Sequence, residues 1–302
     1  MSVVRLGTLF LYFFCIIFSM THAAGVEHSN QFLPANSSDA SWVFSGVVTN
    51  ENGEKYGYFF QMRREGNQFH AITALLDEQS KSLMFLDEEA EIIQDNLSYD
   101  WHVGHAFLRF NPINDSWIFG LKNKDKKGFN FKVDMAKEDD RAPVSQKLRD
   151  GVELLVSQTS RLNGHLNVGE GGEEQFVTAK NAWFRQVWLS EKQKTTHPFT
   201  GVLCHFNNGS GFYSANMTES DAIRGAVAGW RDGEGLSAVM SQFINIKQTP
   251  EGAWHINIAA PDLHLVLSNF IQKKSIVAAG FVEQGKSPGF CMVSKETVGS
   301  VA

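Results

Sequence analysis

The chain has 302 residues, enough for one large domain or two of ordinary size. Hydrophobic residues make up 43% and charged residues 20%, which excludes a disordered or fibrous chain. A net charge of −6 excludes a nucleic-acid protein with a broad basic face. The 36 aromatic residues, 24 of them Phe and 7 Trp, stand beside only 7 prolines and point to a β-rich, well-filled core.

Met1–Ala23 reads as a secretory signal peptide. Arg5 gives a positive start, Leu6–Met20 is an uncharged and mostly apolar run, and Thr21-His22-Ala23 offers small residues for cleavage after Ala23. An uncleaved anchor is the alternative, although the run is shorter than the roughly 20 residues that span a bilayer. No later stretch reads as a transmembrane segment, so an exported protein, periplasmic or secreted, is expected. Cys204 and Cys291 remain after the signal, and they form either one disulfide or two separate buried thiols. Five N-x-S/T sequons occur, at Asn36, Asn96, Asn114, Asn208 and Asn216.

Residues 24–40 lack a periodic pattern and read as a flexible lead-in. Strands are then predicted in series. Trp42–Thr49 and Tyr56–Arg63 flank an Asn52-Gly53 hairpin turn, with Tyr56, Tyr58, Phe60 and Met62 on one face. Phe69–Leu76, Ser82–Leu86, Ala106–Asn111, Trp117–Lys122 and Phe129–Met135 follow, and the alternation in Phe129–Met135 marks a sheet with one wet face. The charged stretch 137–150 reads as a long surface loop. Gly151–Gln158, Arg161–Val168, Glu173–Trp183 and Val187–Ser190 resume the pattern, and 191–198 reads as a linker. Eight more runs lie between Gly201 and Ser294. Ala222–Trp230 is the best helix candidate, but Gly225 and Gly229 argue against it. Roughly nineteen strands are too many for one small barrel and predict two antiparallel domains, 41–192 and 193–302.

Motifs with a known chemistry lack their context. Gly280–Ser287 matches the phosphate-loop string and Gly285–Gly289 the nucleophile-elbow string, but Pro288-Gly289 and a strand follow where each needs a helix. Pro288 also has no N–H for an oxyanion hole, so Ser287 reads as a turn residue. Ser210 lies near His205 in sequence, inside another expected turn. His102 and His105 suggest a metal pair, yet no third ligand with zinc-like spacing follows, so neither a metal nor a cofactor is expected.

Three segments carry a family resemblance: Trp42–Arg64 with its Asn-Gly turn, Phe69–Glu89, and Leu162–Trp188. Their order resembles the lipocalin-like carotenoid-hydratase and secreted-hydrolase-like family, as does the pattern of Gly201–Met217, Glu251–Ile258 and Ala278–Gly285. The resemblance implies an all-β fold of two tandem antiparallel lipocalin-like (calycin-type) barrels or sandwiches. It also implies a hydrophobic small molecule, lipid- or isoprenoid-like, as partner. In a closed barrel the first and last strands meet, so a Cys204–Cys291 bridge is expected to staple the second domain.

Hydrating an isolated alkene needs an acid strong enough to protonate carbon, and a carboxyl in an apolar cavity can serve. Active relatives of this kind carry an acidic, Trp-centred motif of the form W-x-D. Here the stretch is Trp183-Phe184-Arg185-Gln186-Val187-Trp188, with Arg185 or Gln186 where the acid belongs. The expectation is therefore ligand binding without robust catalysis, with a hydratase- or isomerase-type enzyme as the alternative. The candidate ligand-binding residues are Tyr58, His70, Trp183, Arg185, Gln186 and Trp188. His70 is either a polar group lining the cavity or a core histidine satisfied by a backbone partner.

Overall fold

Alternating apolar and polar residues, broken by glycine and asparagine turns, fold as strands along the whole chain. The computed structural model describes residues 36–94, 99–122, 127–135, 144–168, 173–191, 196–219, 222–238, 240–241, 244–267, 277–284 and 287–299. Every regular element among them is a β-strand. The expected signal peptide, the lead-in up to residue 35, the Asn96 sequon and the 192/193 boundary lie outside these residues.

The N-terminal half contributes β1 (Asp39–Asn50), β2 (Lys55–Glu65), β3 (Gln68–Asp77), β4 (Leu83–Ile92), β5 (Asp100–Val103), β6 (Ala106–Asn111), β7 (Ser116–Lys122), β8 (Gly128–Met135), β9 (Val144–Arg149), β10 (Val152–Asn167), β11 (Gln175–Ala179) and β12 (Trp183–Leu189). They form one antiparallel sheet in the order β4-β3-β2-β1-β11-β10-β8-β7-β6-β5, with β12 bridging β1 and β10 and with β9 on β10. The β1–β2 hairpin turns at Asn52-Gly53 as expected. Gly53 adopts φ +83, and the Asn50 side chain accepts from the amides of Asn52 and Glu54.

The C-terminal half contributes β13 (His197–Phe206), β14 (Gly211–Glu219), β15 (Ala222–Arg231), β16 (Ser237–Ala238), β17 (Ile244–Gln248), β18 (Trp254–Ala259), β19 (Asp262–Leu267), β20 (Val277–Gln284) and β21 (Ser287–Val298). A six-stranded sheet, β16-β15-β14-β13-β21-β20, faces a three-stranded one, β17-β18-β19, across a shared apolar core. Among the described residues no sheet joins the strands before Leu189 to those after His197. The chain is thus all-β, with lipocalin-like barrel and sandwich layers.

Three buried layers follow. Inside the N-terminal sheet the rings of Phe44, Phe60, Phe119, Phe131, Trp117 and Phe184 lie 4.2–6.2 Å from their neighbours in the network. Fully burying each such ring stabilises the fold by roughly 1.5–3 kcal/mol. A second cluster packs the outward face of that sheet (Val43, Phe59, Leu76, Trp183) against β13, β14 and β21 (Leu203, Tyr213, Phe290, Met292). Gly57 allows that approach, because a Cβ there would meet the Phe290 ring at 2.3 Å. The third cluster fills the space between the two C-terminal sheets.

Cys204 and Cys291 are register partners on β13 and β21 and form a disulfide facing that third core. The first and last long strands of this half do meet, as expected.

The structure corrects several boundaries. Residues 144–149, expected inside a loop, form β9; their charge hid Leu148, which is buried in the inter-sheet cluster. Two expected strands merge into β10, with a bulge between Thr159 and Arg161. The turn before β12 lies at Asn181, which takes φ +57, so Trp183–Leu189 is one unbroken strand. β13 begins at His197, inside the expected linker, and β1 begins at Asp39, inside the expected lead-in.

Candidate functional site

Residues that alternate along a strand point to opposite faces. On β12, Phe184 and Gln186 pair with Phe44 and Trp42 of β1 and face the aromatic interior, and Trp188 shares their side. Trp183, Arg185 and Val187 face the other way, toward β13 and β21. The candidate residues therefore divide among three places. Tyr58, Gln186 and Trp188 belong to the inward side of the N-terminal sheet, Trp188 half-buried. Trp183 and Arg185 belong to the interface between the halves. His70 is half-buried on the outward face with Ile72, Ala74 and Leu76, as its parity predicted.

At the interface Arg185 is 0% exposed. Its Nη2 donates to Glu296 Oε1 at 2.5 Å and its Nη1 to Ser294 Oγ at 3.0 Å. Its guanidinium lies 4.9 Å from the centre of the Phe199 ring. Position 201 must be glycine for this arrangement, because a Cβ there would meet Arg185 Nη1 at 1.8 Å. Burial alone would raise the Glu296 pKa. The Arg185 charge and hydrogen bonds from Ser294 and Ser41 outweigh it and hold the carboxyl below the ordinary glutamate range. Gln61 Nε2 in turn donates to Ser41 Oγ at 3.1 Å.

Next to this cluster Asp39 accepts from the Gly299 amide at 3.1 Å, and burial raises its pKa despite the Arg63 charge and that hydrogen bond. Trp183 Nε1 donates to the Cys204 carbonyl at 2.7 Å. His205, two residues further along β13 from Leu203, is buried and neutral. Burial, then the Lys55 charge, push its pKa down to about 4.

The inward side is chemically different. Burial pushes the Tyr58 pKa far up, and its hydroxyl has no hydrogen-bond partner among the described residues. The same holds for partners of Thr73 Oγ1, Trp42 Nε1, Trp117 Nε1 and Gln186 Oε1. The carboxylates on this side come from the edge strand β4, where Asp87, the register partner of Thr73, projects inward with Glu89 and Glu91.

An open groove of about 760 Å³ lies on the C-terminal half. Ile246 and Ala259 form its accessible apolar part, over Ile244 and Ile258, which are buried in the third cluster, and Asn245, Asn257, Asp262 and His264 form its polar part. That volume is in the range of small-molecule sites.

Gly285 and Lys286 of the two motif strings lie outside the described residues. Ser287 opens β21 opposite Gln284 of β20, in a hairpin with no helix after it. Ser210 donates to Asn208 Oδ1 at 2.6 Å within the β13–β14 turn. His102 is exposed on β5, and His105, the other histidine of that spacing, lies with its Nδ1 3.1 Å from Glu89 Oε1 of β4. The acidic positions of β4 were missed; their only signal was Asp87-x-Glu89-x-Glu91, an acid at every second residue.

No protein-family model and no curated protein matches the sequence. Solved structures do match in fold. An AttH-type protein of Nitrosomonas europaea superposes with a TM-score of 0.66 at 14% identity, covering 89% of this chain and 96% of its own. Kievitone hydratase of Nectria haematococca superposes with a TM-score of 0.63 at 13% identity, covering 91% of this chain and 94% of its own. The resemblance drawn from the sequence and these likenesses agree in fold: the chain is all-β and lipocalin-like, and the superpositions cover most of both chains.

Proposed function

We propose that the protein is an exported lipocalin-like protein that binds a hydrophobic small molecule, lipid- or isoprenoid-like, without robust hydratase chemistry. Its signal peptide is removed after Ala23, and its two domains meet near residue 192. The groove over Ile244, Ile246 and Ile258 is the observation that carries this reading, because it combines apolar lining with a few polar groups on its margin. The interface clamp argues against proton donation at the expected place. Arg185 stands where the resemblance puts an acid, and the carboxylate it does meet, Glu296, is held ionised. A hydratase of kievitone shares the fold, which supports small hydrophobic molecules as the ligand class.

Native mass spectrometry of the purified mature chain, followed by solvent extraction, tests the proposal. A bound apolar molecule, or saturable quenching of tryptophan fluorescence by apolar probes, is expected. A chain that carries no ligand and binds no probe contradicts it.

One observation favours the alternative, a hydratase- or isomerase-type enzyme. Asp39 and Glu296 lie in one polar cluster with pKa values moved in opposite directions, a pattern that separates an acid from a base. Incubation with isoprenoid alkenes separates the readings: addition of water that is lost in Asp39→Asn supports the enzyme.

A further inference from the structure

The N-terminal sheet ends at β4 on one side and at β5 on the other, and these two strands are not hydrogen-bonded to each other. Side chains bridge the seam instead. The Gly104 amide, in the β5–β6 turn, donates to Glu91 Oε2 at 3.0 Å, and His105 Nδ1 lies 3.1 Å from Glu89 Oε1. Asp87, Glu89 and Glu91 pair across to Thr73, Ala71 and Phe69, so all three carboxylates project to the inward side of β4. Gly104 takes φ +55, and a Cβ there would meet Glu89 Cδ at 2.6 Å. Glycine thus lets the turn come down onto the acids.

Asp87, Glu89 and His105 each offer one donor atom, and these atoms all lie within 4.8 Å of one another. All three residues are half-buried. Donors bound to a small divalent cation at about 2.0–2.2 Å sit roughly 3–4 Å apart, so side-chain rotation alone brings this set to bonding geometry. Two carboxylates on one strand face repel each other, and a divalent cation held between them and the imidazole offsets that charge. A nitrogen in the set favours zinc-type transition metals over calcium or magnesium, which prefer all-oxygen shells.

We propose that Asp87, Glu89 and His105 form a binding site for a zinc-type divalent cation that fastens β4 to the β5–β6 turn and closes the unpaired seam of the sheet. Water completes the coordination on the half-exposed side. Edge strands often carry inward-pointing charges simply to prevent mispairing. That role needs neither the histidine nor the glycine that brings it into reach. The site is independent of the groove and of the proposed ligand.

The test uses the full mature chain, freed of metal by chelator and dialysed. Zinc is titrated calorimetrically near neutral pH, and cobalt is added separately to read its visible absorption. One equivalent of zinc, a raised thermal midpoint and a cobalt spectrum showing a nitrogen ligand are expected. His105→Ala and Asp87→Asn should each weaken zinc at least about tenfold. Both should keep the thermal midpoint of the metal-free wild type to within a few degrees. His102→Ala, at an exposed histidine of β5, should bind like wild type. The proposal is overturned if wild type takes up no zinc saturably. It is equally overturned if Asp87→Asn and His105→Ala bind as tightly as wild type, which would leave only a Glu89–His105 ion pair. If His105→Ala does not fold, Asp87→Asn decides alone.

Discussion

The inward side of β12 and its outward side are both buried, yet they are held in opposite ways. Inward, Phe184 lies 5.0 Å from Phe44 in an aromatic network, and the oxygen of Gln186 has no partner among the described residues. Outward, Arg185 uses both terminal nitrogens on Ser294 and Glu296 from the other half of the chain. One face contributes non-directional packing, and the other contributes a charge pair that fixes how two sheets meet. A six-residue motif read linearly merges these faces, whereas the strand period separates them.

The sharpest way to break this contrast is Arg185→Met. It leaves Glu296 charged and buried without its partner, and about 3–5 kcal/mol of stability should be lost in urea unfolding. The double variant Arg185→Met with Glu296→Met should recover most of that loss, because the uncompensated charge is gone. The covalent tie within the C-terminal half comes next. Cys204→Ala with Cys291→Ala should cost roughly 2–4 kcal/mol, and non-reducing mass spectrometry of wild type should show the bridge.

His205 gives the interface a pH signature. Its folded pKa, about 4, lies below the ordinary 6.5, so protonation favours the unfolded chain. Its contribution is full above pH 6.5 and is lost as pH falls toward 4, amounting to about 3 kcal/mol over that window. His205→Gln should flatten the stability profile there. The smallest effect is expected on the inward face. Gln186→Leu removes a buried oxygen that has no described partner, so the change should stay within about 1 kcal/mol and can be stabilising. A large loss at Gln186 would show that the two faces are not so different.

Much of the fold was legible. The Asn52-Gly53 turn, the aromatic face of β2 and the meeting of Cys204 with Cys291 follow from turn chemistry, period two and barrel closure. Leu148 was hidden because Val144 and Leu148, the two apolar residues of six, stand four apart and Lys147 and Arg149 flank the second. The expected runs stop at Trp183 and resume at Val187, whereas β12 runs unbroken across Phe184-Arg185-Gln186. The charge of Arg185 is tolerated inside a buried strand through Glu296, which lies 111 positions away. The same physics hid the β4 cluster. Glu89 and His105 are 16 residues apart and meet only because the sheet curls its two ends together. Parity and turns are local properties of a sequence, whereas a partner for a buried charge is set by topology.

The central claim is that a structural ion pair, not a proton donor, occupies the interface position where an acid was expected. NMR detection of the Glu296 side-chain carboxyl through an acid titration of the folded chain tests it most directly. The account predicts a carboxylate that stays ionised as pH falls through 4.5, the ordinary glutamate value, and takes its proton only below it. A Glu296 carboxyl that is already protonated near neutral pH would contradict the account and return the site to acid chemistry.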